Sequence, residues 1–410
     1  MLSHRIEFAP ERDAEIFPAI PRAAAVFLLR GSDPEAEPYV SKTANLRRRL
    51  ERLLGAPEER SRKLNLRSRV AAIEYTLTGS DFESSFLLYQ LLRTAFPKTY
   101  ADRLRFRPAP LVKLHLENEY PRASVTTRLG RQGARQGGQP IYYGPFATRV
   151  AAEKFLNDAL DFFLMRRCPD DLHPDPSFPG CVYSEMKMCM APCFRGCTDD
   201  AYRAEVSRVR AFLDSGGVSL EREFSVEREA ASARLEFEEA AAIHTKMEKL
   251  RPVVSQLPEL VRPLNRLNGV IVQTSSEANA VTLFQLDGGH VSGPITFLIQ
   301  PPEHTKSQSM EARLQMALAA AKETPSRANV EIMEHLSFLK RWYYRSTRAG
   351  EIFLVDEKEQ LPLRRLVRGI GRVFRGEKPE TVSGNLVRVQ TEVQSEVGTE
   401  VREAGHRRKE

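Results

Sequence analysis

Five cysteines fall between Cys168 and Cys197, and the rest of the 410-residue chain contains none. The first four, Cys168, Cys181, Cys189 and Cys193, are separated by twelve, seven and three residues. Thiols gathered by short loops constrain the fold around them, because four thiolates brought together make a cage suited to an iron–sulfur cluster or to Zn²⁺. A disulfide framework belongs to small secreted domains, whereas this chain is long and its cysteine count is odd. The apolar run Ala23–Leu29 is short, ends at Arg30 and lacks a cleavage-site context, so no secretory leader is expected. Inert buried thiols would be scattered along the chain. The spacing leaves iron–sulfur and zinc both open, since only Cys189/Cys193 and Cys193/Cys197 are as close as the arms of a zinc knuckle.

The chain is long enough for several domains with real cores. No run of about eighteen apolar residues occurs, so neither a membrane span nor a membrane partner is expected, and the chain reads as cytoplasmic. The net charge is +7, from 61 Lys and Arg against 54 Asp and Glu. The excess is uneven: residues 20–70 hold twelve Lys and Arg against six Asp and Glu, including Arg47, Arg48, Arg49, Arg52, Arg60, Arg62 and Lys63. Such a patch is the electrostatic footprint of a phosphate-backbone partner. A solvated arginine-rich helix face would read the same way.

Patterning predicts an α/β multidomain chain. Residues 1–20 read as a polar N-terminal extension. Residues 21–102 give β–β–α–β–α: AAAVFLLR and Tyr39-Val40 as strands, Leu46, Leu50, Leu53 and Leu54 at helical spacing, VAAIEYTLT as a strand, and a helix over 81–96 capped by Ser80 or Asp81. Residues 103–166 form a strand-rich connector with a glycine-rich loop, closed by a helix from about Arg149 to Met165. The cysteine module occupies 167–200. A helical hairpin is expected over 201–255, with Phe224, Ala231, Leu235, Ile243, Met247 and Leu250 near one face. Residues 262–357 alternate in strand fashion about Gly288-Gly289 and include two helices, a small mixed α/β module. Residues 358–410 are polar and read as a disordered tail.

Four segments in this order resemble the UvrC family, a nuclease component of the bacterial excinuclease. They are AVF (25–27) with YVSKTANLRRRL (39–50), similar to a GIY-YIG nuclease domain; IYYGPF (141–146); CVYSEMKMCMAPC (181–193) within the cysteine block; and LEFEEAAAIHTKMEKLRP (235–252), which looks like the family's UVR helical motif. Residues 268–299 look like the opening of the family's second half, so the resemblance spans about residues 20–355.

The resemblance implies a DNA-binding component of nucleotide-excision repair. It implies a [4Fe–4S] cluster on Cys168, Cys181, Cys189 and Cys193, with zinc as the alternative and Cys197 outside the pattern. It implies phosphodiester cleavage by Tyr39, Lys42 and Arg49, with Asn45, Arg47 and Arg48 on the DNA, and Mg²⁺ or Mn²⁺ where the nuclease is active. It also implies the excinuclease component UvrB as a partner through residues 226–252. Several positions depart from the family. Phe27 stands for the first-motif tyrosine, Ser41 for a glycine, Leu53 for a helix tyrosine, Tyr100 for an asparagine, and Leu88 for the metal-binding glutamate. Glu83 lies about 140° around the helix from Leu88, and Asp81 lies about 10 Å along it. Asp81 is expected to serve as an N-cap, so the site reads as degenerate. The family's RNase H-like nuclease is not visible after Val355; LVRGIGRVF is only faintly like a hairpin-helix glycine turn. Competing with this reading are a noncatalytic iron–sulfur-stabilised adaptor and an unrelated zinc-stabilised RNA-binding protein.

Overall fold

The computed structural model describes residues 2–33, 35–56, 64–130, 138–169, 172–300, 308–321, 328–356 and 358–378. Arg60, Arg62, Lys63, most of the glycine-rich loop and the tail beyond Lys378 lie outside them. The chain is a mixed α/β multidomain protein that divides into two compact units. The first gathers residues up to Arg107 with those from Asn268 and those from Ser337 onward. The second gathers Pro108–Leu267 with Ala328–Leu336.

The first unit contains two four-stranded antiparallel sheets. One has the order β1-β4-β2-β3, from β1 (His4–Glu7), β2 (Ala25–Gly31), β3 (Tyr39–Thr43) and β4 (Val70–Leu77). Strand β2 reads Ala-Val-Phe-Leu-Leu because both of its faces are covered. Ala25, Phe27 and Leu29 pack with Leu46, Leu50, Leu53 and Leu54 of α2 (Leu46–Leu54), and with Ile16 and Ile20 of α1 (Asp13–Ala19) and the residue after it. The intervening Val26 and Leu28 are buried too, and α3 (Asp81–Ala95) lies against β2 and β3. The first twenty residues are therefore part of the domain: β1 adds an edge to β4 in the register Ile6–Ile73, and Phe8, Ile16 and Ile20 enter the core.

The second sheet has the order β11-β10-β9-β12, from β9 (Gly269–Thr274), β10 (Ala280–Asp287), β11 (His290–Leu298) and β12 (Glu351–Leu354). The Gly288-Gly289 turn joins β10 to β11 as patterning predicts. Residues 21–102 and 262–357 do not fold as separate modules. Phe82, an N-terminal residue of α3, meets Phe284 edge-on at 5.0 Å and Trp342 at 5.4 Å, and Tyr89 lies 5.2 Å from Phe338. Gly79 comes so close to the start of the second sheet's hairpin that a Cβ would stand 2.3 Å from the Thr274 carbonyl oxygen. The Thr274 hydroxyl donates to the Gly79 carbonyl at 2.6 Å. Only glycine admits that approach.

The expectation of disorder from residue 358 is corrected over its first part. Helix α12 (Leu363–Phe374) seats Leu366, Ile370 and Val373 on the core formed by Val270, Leu283 and Phe353. Its apolar residues recur at spacings of four and three beneath a polar average composition, so low mean hydropathy concealed an amphipathic helix. The helix runs unbroken through Gly369 and Gly371, so LVRGIGRVF is no hairpin turn. A Cβ at Gly369 would stand 2.0 Å from the Phe353 ring.

The second unit is built on a sheet of order β6-β5-β7-β8, from β5 (Leu111–Leu114), β6 (Ala123–Thr126), β7 (Ile141–Gly144) and β8 (Arg262–Pro263). Its core joins Val112, Leu114 and Tyr143 to Phe155 and Leu156 of α5 (Arg149–Leu160) and to Tyr202, Val209 and Phe212 of α7 (Asp199–Asp214). Helices α8 (Val218–Ala233) and α9 (Phe237–Ser255) form the expected hairpin. Phe224, Ala231, Ile243 and Leu250 are buried and Met247 packs against them. Leu235 departs from that face: it sits at the hairpin turn with φ of 64° and is 71% exposed. A residue in the turn cannot continue the stripe of either helix.

Candidate functional site

Strand β3 and helices α2 and α3 position the residues that the sequence singles out for phosphate chemistry. Alternation along β3 sends Tyr39 to the face of Phe27 and Leu29, and Lys42 to the opposite face. Their partners follow that division. Arg49 on α2 donates from Nη2 to the Tyr39 hydroxyl at 2.8 Å, and its Nε is buried without a hydrogen-bond partner among the described residues. Lys42 Nζ lies 2.5 Å from an Asp81 carboxylate oxygen and 2.7 Å from the Ser85 hydroxyl on α3. The other Asp81 oxygen accepts from Arg345 Nη1 at 2.6 Å. Among the described residues no hydrogen bond or ion pair joins the Tyr39–Arg49 pair to the Lys42 group. Phe27 is fully buried with its ring 6.1 Å from that of Tyr39.

Asp81 is not the helix cap. Ser80 caps α3, accepting from the Glu83 amide at 3.1 Å, which leaves the Asp81 side chain free to bridge two cations. Partial burial alone would push the Asp81 carboxyl up, but the hydrogen bonds and charges of Lys42 and Arg345 outweigh it and hold the group below its ordinary value. Glu83 is turned elsewhere: it is buried and accepts from the Gly79 amide at 2.8 Å, and burial raises its pKa despite that bond. Asp81, Ser85 and Leu88 follow one another at helical spacing on one face. Leu88, half-buried, brings a hydrocarbon to that face. Arg345 was not visible in the sequence as a site residue; no local motif marks it, because it arrives across 264 residues of chain.

The other basic residues divide in role. The Asn45 side chain caps α2 by accepting from the Arg48 amide at 3.0 Å. Arg47 donates to the carbonyls of Ile20 at 2.7 Å and Pro18 at 2.5 Å, tying α2 to the end of α1. Arg48 is exposed.

In the second unit, the cysteine block is a run of short turns. Cys181 precedes the single turn α6 (Val182–Glu185), and its amide donates to the Ser184 hydroxyl at 2.9 Å. Lys187, Ala191 and Arg195 all take positive φ, at 54°, 56° and 58°. Each such non-glycine residue costs about 1–3 kcal/mol and persists only where its surroundings over-determine it. Burial pushes the Cys189 thiol up to about 11 against the opposing Ala191 amide, and the charges of Cys168, Cys193 and Cys181 add to that rise. Cys193 is raised by burial and then by Cys181, with Cys168 also contributing. These four sulfurs therefore share one electrostatic neighbourhood. Cys197 is raised by burial and then by Asp199, with only Cys193 adding to it among the thiols, and it packs against the unit's core.

The donor set is of the kind a metal–thiolate centre uses: four half-buried thiols in one run of turns, with the Ala191 amide donating to the Cys189 sulfur at 3.3 Å. Among the described residues no three of the sulfurs come within 4.8 Å of one another.

The hairpin exposes Val226 within α8, Leu235 at the turn and Phe237 at the start of α9, each by more than 60%. Among the described residues no helix is long and apolar enough to cross a membrane.

Comparison with known proteins gives one direction. The family model of the UvrC/Cho excinuclease middle domain matches residues 110–212. The UvrABC system protein C of Methanothermobacter thermautotrophicus is 27% identical over 308 residues, covering 75% of this chain and 50% of that protein. Those of Moorella thermoacetica and Rickettsia rickettsii are each 27% identical, over 70% and 67% of this chain and 46% and 42% of theirs. The chain spans about half the length of the curated relatives it matches. No solved structure matches it.

Proposed function

Because the chain belongs to the UvrC family, corresponding to its N-terminal part, we propose that it is a DNA-binding component of nucleotide-excision repair, acting in the cytoplasm, whose GIY-YIG-like site holds backbone phosphate without cutting it. The observation that carries this reading is the Lys42–Asp81–Arg345 bridge. The carboxylate nearest the site is neutralised by two cations, and the position of the metal glutamate is occupied by Leu88. A hydrolytic metal needs a carboxylate free to bind it, while a phosphate needs only the cations, which it can draw from Asp81. Arg48 extends the same basic surface.

The four-thiol site, Cys168, Cys181, Cys189 and Cys193, holds a [4Fe–4S] cluster in this reading, supported by its all-thiol donor set. Residues 226–252 dock the excinuclease component UvrB, supported by the exposed Val226, Leu235 and Phe237 on a hairpin whose opposite side is packed.

The test is a damaged duplex incubated with the protein, Mg²⁺ or Mn²⁺, and UvrB. The expected result is salt-sensitive binding without incision by this chain, weakened about tenfold in Lys42→Ala/Arg48→Ala through the lost phosphate contacts. A second reading, the active nuclease, draws on the Tyr39–Arg49 hydrogen bond, with Tyr39 as base and Arg49 on the phosphate. Metal-dependent nicking abolished by Tyr39→Phe would establish that reading and overturn the first.

A further inference from the structure

The cysteine block is backed by a buried arginine that the phosphate-binding reading does not use. Arg166 is 1% exposed and is among the largest fully buried side chains of the described residues. Its Nε donates to the Tyr120 carbonyl at 2.9 Å, and its backbone amide donates to the Tyr202 hydroxyl at 3.1 Å. Its Nη1 reaches Cys168 twice, at 3.4 Å from the carbonyl oxygen and 3.4 Å from Sγ. Tyr202 continues the layer: its hydroxyl donates to the Pro121 carbonyl at 2.7 Å, and its ring meets that of Tyr120 at 5.6 Å. Cys189 and Cys168 both act on the Tyr202 hydroxyl, whose proton burial already holds tightly.

Cys168 offers its carbonyl and its sulfur to the same Arg166 nitrogen, and the rigid fork of Arg166 is fixed towards them by the Tyr120 carbonyl. Lysine, with a single point charge on a flexible stem, could not satisfy both acceptors in that way.

We propose that Arg166 is the positioning residue of the sulfur site: it orients the Cys168 thiolate as a ligand and, as a buried cation beside the sulfur, raises the reduction potential of the cluster bound there. This inference rests on the iron–sulfur reading of the four thiols. Its physical basis is that hydrogen bonds and positive charge at a ligand sulfur stabilise the reduced, more negative cluster over the oxidised one.

The experiment uses the full chain purified without oxygen, in wild-type, Arg166→Gln, Arg166→Lys and Tyr202→Phe forms. Iron per chain, the visible spectrum and the midpoint potential from a dye-mediated titration are measured beside the unfolding temperature. Arg166→Gln is expected to shift the midpoint to more negative potential and to lose iron faster to a chelator. Arg166→Lys, which keeps the charge but loses the fork, is expected to shift it in the same direction by less, and it serves as the reporter should the glutamine variant fail to fold. Tyr202→Phe removes a hydroxyl from the same layer without altering charge, and it is expected to lower the unfolding temperature while leaving the midpoint in place. A wild-type midpoint in iron-loaded Arg166→Gln, or in Arg166→Lys where that is the reporter, would overturn the inference while leaving the cluster intact. A wild-type protein that binds zinc or no metal would overturn the cluster reading and this inference together.

Discussion

The cysteine block and the basic site around Lys42 are completed in opposite ways. The block draws its four thiols from 26 consecutive residues, Cys168–Cys193. It contributes few large apolar side chains to the core and carries three non-glycine residues with positive φ between Lys187 and Arg195. Its order is carried by short turns and backbone hydrogen bonds. The basic site takes side chains from β3, α2 and α3 and from Arg345, and its cations already have anionic or hydroxyl partners. It is held by its own charges, so a ligand must compete for it. A block of turns rich in thiols and a site rich in satisfied charges therefore sit in one chain, each in its own compact unit.

The largest effect should come from emptying the first. Cys181→Ala should abolish stable iron binding and cost solubility, as read by iron analysis and gel filtration after anaerobic purification. Full iron in that variant would remove Cys181 from the ligand set. The second unit would then owe its order to packing alone.

Next in size is the close approach that holds the basic site's unit together. Gly79→Ala should destabilise that unit by about 2–3 kcal/mol, because its Cβ must displace backbone at Thr274 and Ser275. A urea midpoint equal to wild type would show that the two sheets are joined by the aromatic cluster alone.

A smaller change should follow from removing the competitor at Lys42. Asp81→Asn leaves Ser80 to cap the helix and removes the negative charge that Lys42 and Arg345 share. Duplex binding should tighten about 2–5-fold at low salt, the scale of one exposed ion pair. Unchanged affinity would place the phosphate elsewhere.

A further effect, in stability rather than binding, separates the two units by pH. His115, in the second unit, is pushed down to about 4 by burial and then by Lys113 and Arg122, against the opposing pull of Glu117. Its folded pKa lies below its unfolded value of about 6.5, so in that window the unfolded chain holds a proton that the native state does not. Stability of the second unit should therefore rise with pH from about 4 to about 6.5, by on the order of 2 kcal/mol. His115→Gln should flatten that slope, as read by unfolding at several pH values.

How much was legible follows from the range of the interactions. Local pattern placed β2, β4 and α3 within a residue or two and found β3 and α2, though β3 runs on from Val40 to Thr43, since five successive buried apolar residues and leucines at helical spacing need no distant partner to be read. It found the α8–α9 hairpin but put Leu235 on the packed face, where a left-handed turn exposes it. It left α12 as tail because only the core formed by Val270, Leu283 and Phe353 gives that arginine-rich helix a surface to bury against. It gave Asp81 a capping role that the neighbouring Ser80 fills, since two adjacent cap formers differ only in the geometry of the turn.

The sequence by itself determined which unusual residues this chain carries and where: five thiols within thirty residues, a basic strand–helix pair, and a leucine at position 88. These are properties of residue type and short spacing, which survive in the unfolded chain. Tertiary structure alone decided that the first 107 residues and the C-terminal sheet form one unit, that Arg345 answers Asp81, and that Arg166 lies buried against Cys168. Ion pairs and close packing depend on distances of a few ångströms between residues far apart in the chain, and no pattern in one dimension fixes those distances.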